Sequence, residues 1–144
     1  MRCLRLTAAL ATMLMPWLWT CAASENVDPR DPEPQIAQGA RVFTAKCAEC
    51  HGTNGQGTKE APALVGPGAL PREPRPGQER DASFFTAADV AGFVLHNMPP
   101  FPDERALIPE SDHWAVVAFA LDANGVDLDE PLGPRTAGKI MLQP

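Results

Sequence analysis

Residues 47–51 read Cys-Ala-Glu-Cys-His. Two thiols separated by two residues, with an imidazole directly after them, suit dithiol exchange, zinc binding or covalent attachment of haem. A dithiol redox pair of the thioredoxin kind follows a strand in a βαβ unit, whereas this pair ends a helical pattern with no strand before it. Zinc takes four ligands, and the other two histidines, His96 and His113, both sit in patterns that read as helix surface. Haem attachment fits the spacing directly. Thiols of Cys47 and Cys50 on one helical turn reach the two vinyl groups on one side of the porphyrin, and the adjacent His51 turns beneath the plane to ligate iron. The other ring nitrogen of such a histidine needs an acceptor to fix the ring. The expected cofactor is one haem c with its iron.

The second iron ligand has few candidates. Met1, Met13 and Met15 lie in an N-terminal leader, which leaves Met98 and Met141. Met141 stands near the C-terminus in a segment without caps. Met98 ends a helical pattern and precedes Pro99-Pro100, whose fixed backbone would hold a thioether in place. Methionine alone is usually core filling, but beside the attachment motif Met98 is the favoured ligand. His96, two residues earlier, is the alternative; it stands off the apolar face of its helix and also reads as an exposed histidine near a helix C-terminus.

Three helical patterns must position these groups. Ile36, Ala40, Phe43 and Cys47 recur at helical spacing over residues 35–47 and put the first cysteine on the apolar face at the helix end. Thr86 and Asp89 form a capping box that opens a helix carrying Val90, Phe93 and Val94. Ser111 is the expected cap of a last helix with Trp114, Val117, Ala118 and Leu121 on one face, closed by Asn124-Gly125. Residues 52–57 are rich in glycine and residues 61–80 contain five prolines, so both stretches are loops. A loop that long packs on something or serves a function, and a haem would give it a surface. No strand and no internal repeat is expected.

The leader has Arg2 and Arg5, an apolar run from Leu6 to Trp19 and small residues at 22–24, the layout of a secretory signal. The run is too short to span a membrane and Pro16 interrupts it. Cys21 raises a lipoprotein-type ending, against which Thr20 and Trp19 argue. Either route leads to the periplasm, soluble or lipid-anchored. Loss of the leader moves the formal charge from −6 to −8, which argues against nucleic acid or an anionic membrane surface as partner. It also leaves Cys47 and Cys50 as the thiols of the domain, too close together to staple a fold. The organisation is then a signal at residues 1–23, a proline-rich tether at 24–34, the main domain at 35–126 and an extension at 127–144 read as a strap or partly disordered.

With these features in place, residues 35–125 resemble class I cytochrome c. The resemblance implies an all-α fold of three main helices and long loops around one covalent haem. It also implies that a glycine on the first helix packs on an aromatic of the last, and Gly39, Phe43, Trp114 and Phe119 match those positions. In that family the carbonyl of a proline in the loop after the haem helix accepts the bond of the proximal histidine; Pro62 in Ala61-Pro62-Ala63 looks like that residue, and Asn97-Met98-Pro99 resembles the ligand loop. The longer stretch 65–80 departs from the smallest members. A single-electron carrier is implied, with both axial positions filled and no paired base and arginine to suggest a peroxidase. Its redox partners would be a dehydrogenase as donor and an oxidase or another cytochrome as acceptor. The alternative is the haem-bearing subunit of a dehydrogenase complex. Arg72, Arg75 and Arg80 form a candidate basic patch and Asp122, Asp127, Asp129 and Glu130 an acidic one.

Overall fold

The first helix begins earlier than its apolar periodicity indicates. In the computed structural model, which describes residues 28–77, 80 and 83–142, α1 spans Glu33–Lys46 and takes Pro34 into its first turn. That position tolerates proline because its missing N–H would find no partner inside the helix. The expected tether is therefore shorter: Asp31 N donates to Asp28 O at 2.9 Å in a turn, and helix follows within two residues. The signal at 1–23, with Cys21, lies outside the described residues.

A four-residue helix, α2 (Ala48–His51), continues from Cys47. After the long loop come α3 (Ala87–Asn97), the short α4 (Pro102–Ala106) and α5 (Glu110–Asp122). The capping box of α3 is present in both directions, with Asp89 N donating to Thr86 Oγ1 at 3.3 Å and Thr86 N donating to Asp89 Oδ2 at 2.8 Å. Burial raises the Asp89 carboxyl, but the Thr86 and Phe85 donors outweigh it and hold the group below the ordinary carboxylate range. Ser111 does not cap α5. Pro109 occupies that position with no side-chain cap, and Glu110 and Asp112 supply the negative charge that favours a helix N-terminus. Among the described residues two short α-helices, α2 and α4, thus stand beyond the three expected from periodicity, since neither is long enough to show a repeat.

The frame is the crossing of α1 on α5. Gly39 is buried there, and a Cβ on it would overlap the Ala115 carbonyl oxygen and lie 2.8 Å from Phe119 Cβ. Only glycine lets the two backbones approach so closely. One turn on, the Phe43 and Phe119 rings meet with centroids 5.3 Å apart, so Phe119 is the aromatic that answers the first helix. Trp114 is half-buried and donates its indole N–H to Glu110 Oε1 at 3.1 Å.

The C-terminal segment is part of the core. Leu132, Ala137 and Leu142 are buried with Phe84, Ala87, Val90 and Leu121. A 3-10 turn at Ala137–Lys139 shapes it, and Gln35 holds it to α1 by donating to Leu132 O at 2.8 Å and accepting from Leu132 N at 2.7 Å. Leu142 N donates to Phe85 O at 2.8 Å and Ala87 N to Ile140 O at 2.9 Å. Among the described residues there is no strand beyond the isolated antiparallel bridge of Thr86 with Met141. No helix among them is long and apolar enough to cross a membrane.

Candidate functional site

Between α2, α3 and the long loop lies a cavity of about 610 Å³, within the roughly 300–1,000 Å³ of cofactor pockets. Cys47, Cys50, His51, Pro62 and Met98 all line it. Its walls are otherwise largely apolar, with Leu64, Leu70, Phe84, Val90, Phe93, Val94 and Val116.

His51 is built into place by its own neighbourhood. It ends α2 and is buried. Gly57 N then donates to His51 O at 2.7 Å in a tight return that needs glycine: φ is +83°, and a Cβ would sit 2.6 Å from Ala63 N. The return brings Pro62 O to 2.8 Å from His51 Nδ1. A carbonyl only accepts, so Nδ1 carries the proton and Nε2 is left with its lone pair for a metal. Cys47 is half-buried and Cys50 exposed. In the unreacted chain burial pushes the Cys47 thiol up to about 11, the neighbouring Cys50 adding to the effect.

Met98 is the C-cap of α3, half-buried, with its N–H donating to Val94 O at 2.9 Å. His96 borders the same cavity but is exposed, and its Nδ1 is 2.7 Å from Gly92 O on its own helix. His113 is not at the surface as its position in the first turn of α5 suggests. It is 6% exposed, and its ring lies between the carbonyls of Met98 and Pro109. Among the described residues no three His, Cys, Asp or Glu side chains gather as a metal-binding group, so Cys47, Cys50, His51, His96 and His113 do not assemble a zinc site.

The three arginines of the long loop also part from expectation. Arg80 is buried against the cavity with its guanidinium 3.8 Å from the Phe84 ring centroid, and its Nη2 donates to Pro71 O and Arg72 O at 2.8 and 3.0 Å. Arg75 also lines the cavity and donates to Gly68 O; Arg72 stacks 4.9 Å from the Phe85 ring centroid. These side chains fold the loop inward instead of presenting a surface patch. Arg80 Nη1 is buried with no partner among the described residues, and an unmet buried donor on a charged group is costly. A cofactor that pairs an apolar ring with carboxylates suits this lining: two thiols, one imidazole with a free nitrogen, an apolar wall and an unmet guanidinium.

Asn124 ties the loop to the end of α5. Its Nδ2 donates to Leu64 O and Ala120 O, each at 2.7 Å, and its Oδ1 accepts from Gly66 N at 3.1 Å. Sequence pattern marked Asn124 only as a helix stop. Arg80, His113 and Gln35 carry no periodic signal at all, because each acts through carbonyls outside any helical pattern of its own.

The cytochrome c family model matches residues 36–123. The chain belongs to the cytochrome c family. Its fold is the all-α cytochrome c fold, and its cofactor is covalently bound haem c, with Cys47 and Cys50 standing in a C-x-x-C-H stretch. This cytochrome is 31% identical to the thiosulfate dehydrogenase of Allochromatium vinosum over 107 residues, 70% of this chain and 36% of that protein. It is 31% identical to the thiosulfate dehydrogenase of Thiomonas intermedia over 121 residues, 78% of this chain and 34% of that protein. The enzyme of Stutzerimonas stutzeri matches at 30% over 63% of this chain and 29% of its own length. The cytochrome thus spans about a third of the relatives it matches. Among solved structures, the sulfane dehydrogenase SoxCD from Paracoccus pantotrophus is 29% identical with a TM-score of 0.48, covering 66% of this chain and 46% of that one.

Proposed function

We propose that this cytochrome is an exported carrier of single electrons, with His51 and Met98 as the two iron ligands, accepting from a dehydrogenase and donating to an oxidase or another cytochrome. The observation that carries this reading is that His51, with its Nδ1–H committed to Pro62, and the Met98 thioether line one cavity. Haem iron supplies the one-electron chemistry by moving between its ferric and ferrous states. The chain does the rest. His51 is oriented by Pro62, the apolar wall excludes water, Arg80 offers its Nη1–H to an anionic group, and His51 and Met98 together would hold the iron and leave a substrate no place to react.

A second reading, the haem-bearing subunit of a dehydrogenase, is favoured by the likeness to thiosulfate dehydrogenases over about a third of their length. The two readings part on one experiment. The purified protein is titrated for its midpoint potential and then mixed with thiosulfate and an artificial acceptor. A carrier shows a single one-electron wave and no turnover; thiosulfate-dependent acceptor reduction by this chain alone would overturn it. Stoichiometric co-purification with a dehydrogenase would favour the subunit. The periplasmic address follows from residues 1–23, and mass spectrometry of the mature N-terminus decides between cleavage near Ala23 and a diacylglyceryl group on Cys21.

A further inference from the structure

Two side chains on the helices that follow Met98 close on the backbone that carries it. His113, buried in the first turn of α5, has Nε2 3.1 Å from Met98 O and Nδ1 3.3 Å from Pro109 O. The Pro109 carbonyl already accepts two backbone N–H groups, from Asp112 at 2.9 Å and His113 at 3.2 Å. The Met98 carbonyl is the nearer acceptor, so the ring proton belongs on Nε2 and is donated to Met98 O. From the short α4, Arg105 donates Nη1 to Pro99 O at 2.7 Å. Arg105 lines the large cavity; His113 and Met98 line a smaller one of about 60 Å³ beside it.

We propose that His113 and Arg105 are positioning residues that pin the consecutive carbonyls of Met98 and Pro99, and so hold the thioether at the iron. α3 ends at Asn97, and past it the chain has no further turn of its own helix to fix it. Without these donors the segment is held by the Met98 N–H and its own packing, and the thioether leaves more often. The inference rests on the reading of Met98 as the second ligand.

The test is the rate at which added imidazole enters the iron of the ferric holoprotein, read by visible absorbance beside the near-infrared band of methionine-ligated ferric haem. His113→Phe keeps a ring and removes the donor; the rate is expected to rise about five- to tenfold, the scale of one buried hydrogen bond. His113→Gln restores an N–H and should return most of the way to wild type. Arg105→Met, on a helix with no buried residue, should raise the rate by a smaller factor without unfolding the protein, and it decides the matter alone if His113→Phe does not fold. Wild-type rates in both His113→Phe and Arg105→Met, with Met98→Ala open to imidazole at once, would overturn the positioning role while leaving the ligand reading intact. A near-infrared band that survives Met98→Ala would remove the ligand reading, and this inference with it.

Discussion

The two ends of the cavity are built by different means. At the histidine end the parts follow one another along the chain: α2, the glycine return and Pro62 lie within one stretch of 16 residues from Cys47, and the bond that fixes the orientation of the imidazole runs to a main-chain carbonyl at 2.8 Å. At the methionine end α3 delivers Met98, but the donors that fix its backbone come from α4 and α5. One end is specified by a motif and the loop return that follows it, the other by two later helices packed against the end of α3. Changes at the first should therefore be all-or-none, and changes at the second graded.

The largest effect should come from Cys47→Ser with Cys50→Ser. No haem should remain on the polypeptide in denaturing electrophoresis, and helical circular dichroism should collapse, because a domain of this size depends on the cofactor to complete its core. Retained covalent haem would break the comparison at its first term. Next is Gly39→Val, which strikes the frame shared by both ends. With the Ala115 main chain in the way, a loss of about 3 kcal/mol or more is expected in denaturant unfolding, with haem content and the methionine band falling together. If one fell without the other, the two ends would not share a frame.

Met98→Ala should touch the second end only. Haem stays attached, the near-infrared band disappears and the midpoint potential falls, since thioether ligation raises it. Smallest is the cap of the helix that delivers Met98. Thr86→Ala should cost about 1 kcal/mol, visible as a lower Tm with an unchanged spectrum. Asp89 adds a pH dependence of known sign. Its folded value lies below the ordinary 3.8, so its contribution is present above that pH and is lost as pH falls through the lower folded value. Asp89→Asn should flatten the acid side of the stability curve in that range, as read by acid unfolding.

The same division explains what the sequence reveals. The attachment motif and the capping box of α3 are local signals, each requiring particular residue types within a few positions, whereas Gly39 at the helix crossing was reachable only through the family resemblance. Pro62 was reachable through the family resemblance, and the structure puts its carbonyl on His51. His113 read as surface because an apolar-face argument assigns a polar residue in a first turn to solvent; its burial depends on a carbonyl 15 residues away. Arg80 read as part of a basic patch for the same reason, since nothing nearby tells a guanidinium turned inward from one turned outward. The segment 127–142 read as an extension because a 3-10 turn and two isolated backbone bonds leave no periodicity, although Leu132 and Leu142 are core residues.

That last segment has a consequence for how the protein is made. Leu132, Ala137 and Leu142 seal the face formed by Phe84, Ala87 and Leu121, and Gln35 on the first helix waits for Leu132. The attachment motif at residues 47–51 leaves the ribosome long before its domain can close. Until residues 132–142 are in place, the chain holds its cysteines open beside an unsealed core. A chain stalled before Leu132 would present those thiols without a finished pocket around them.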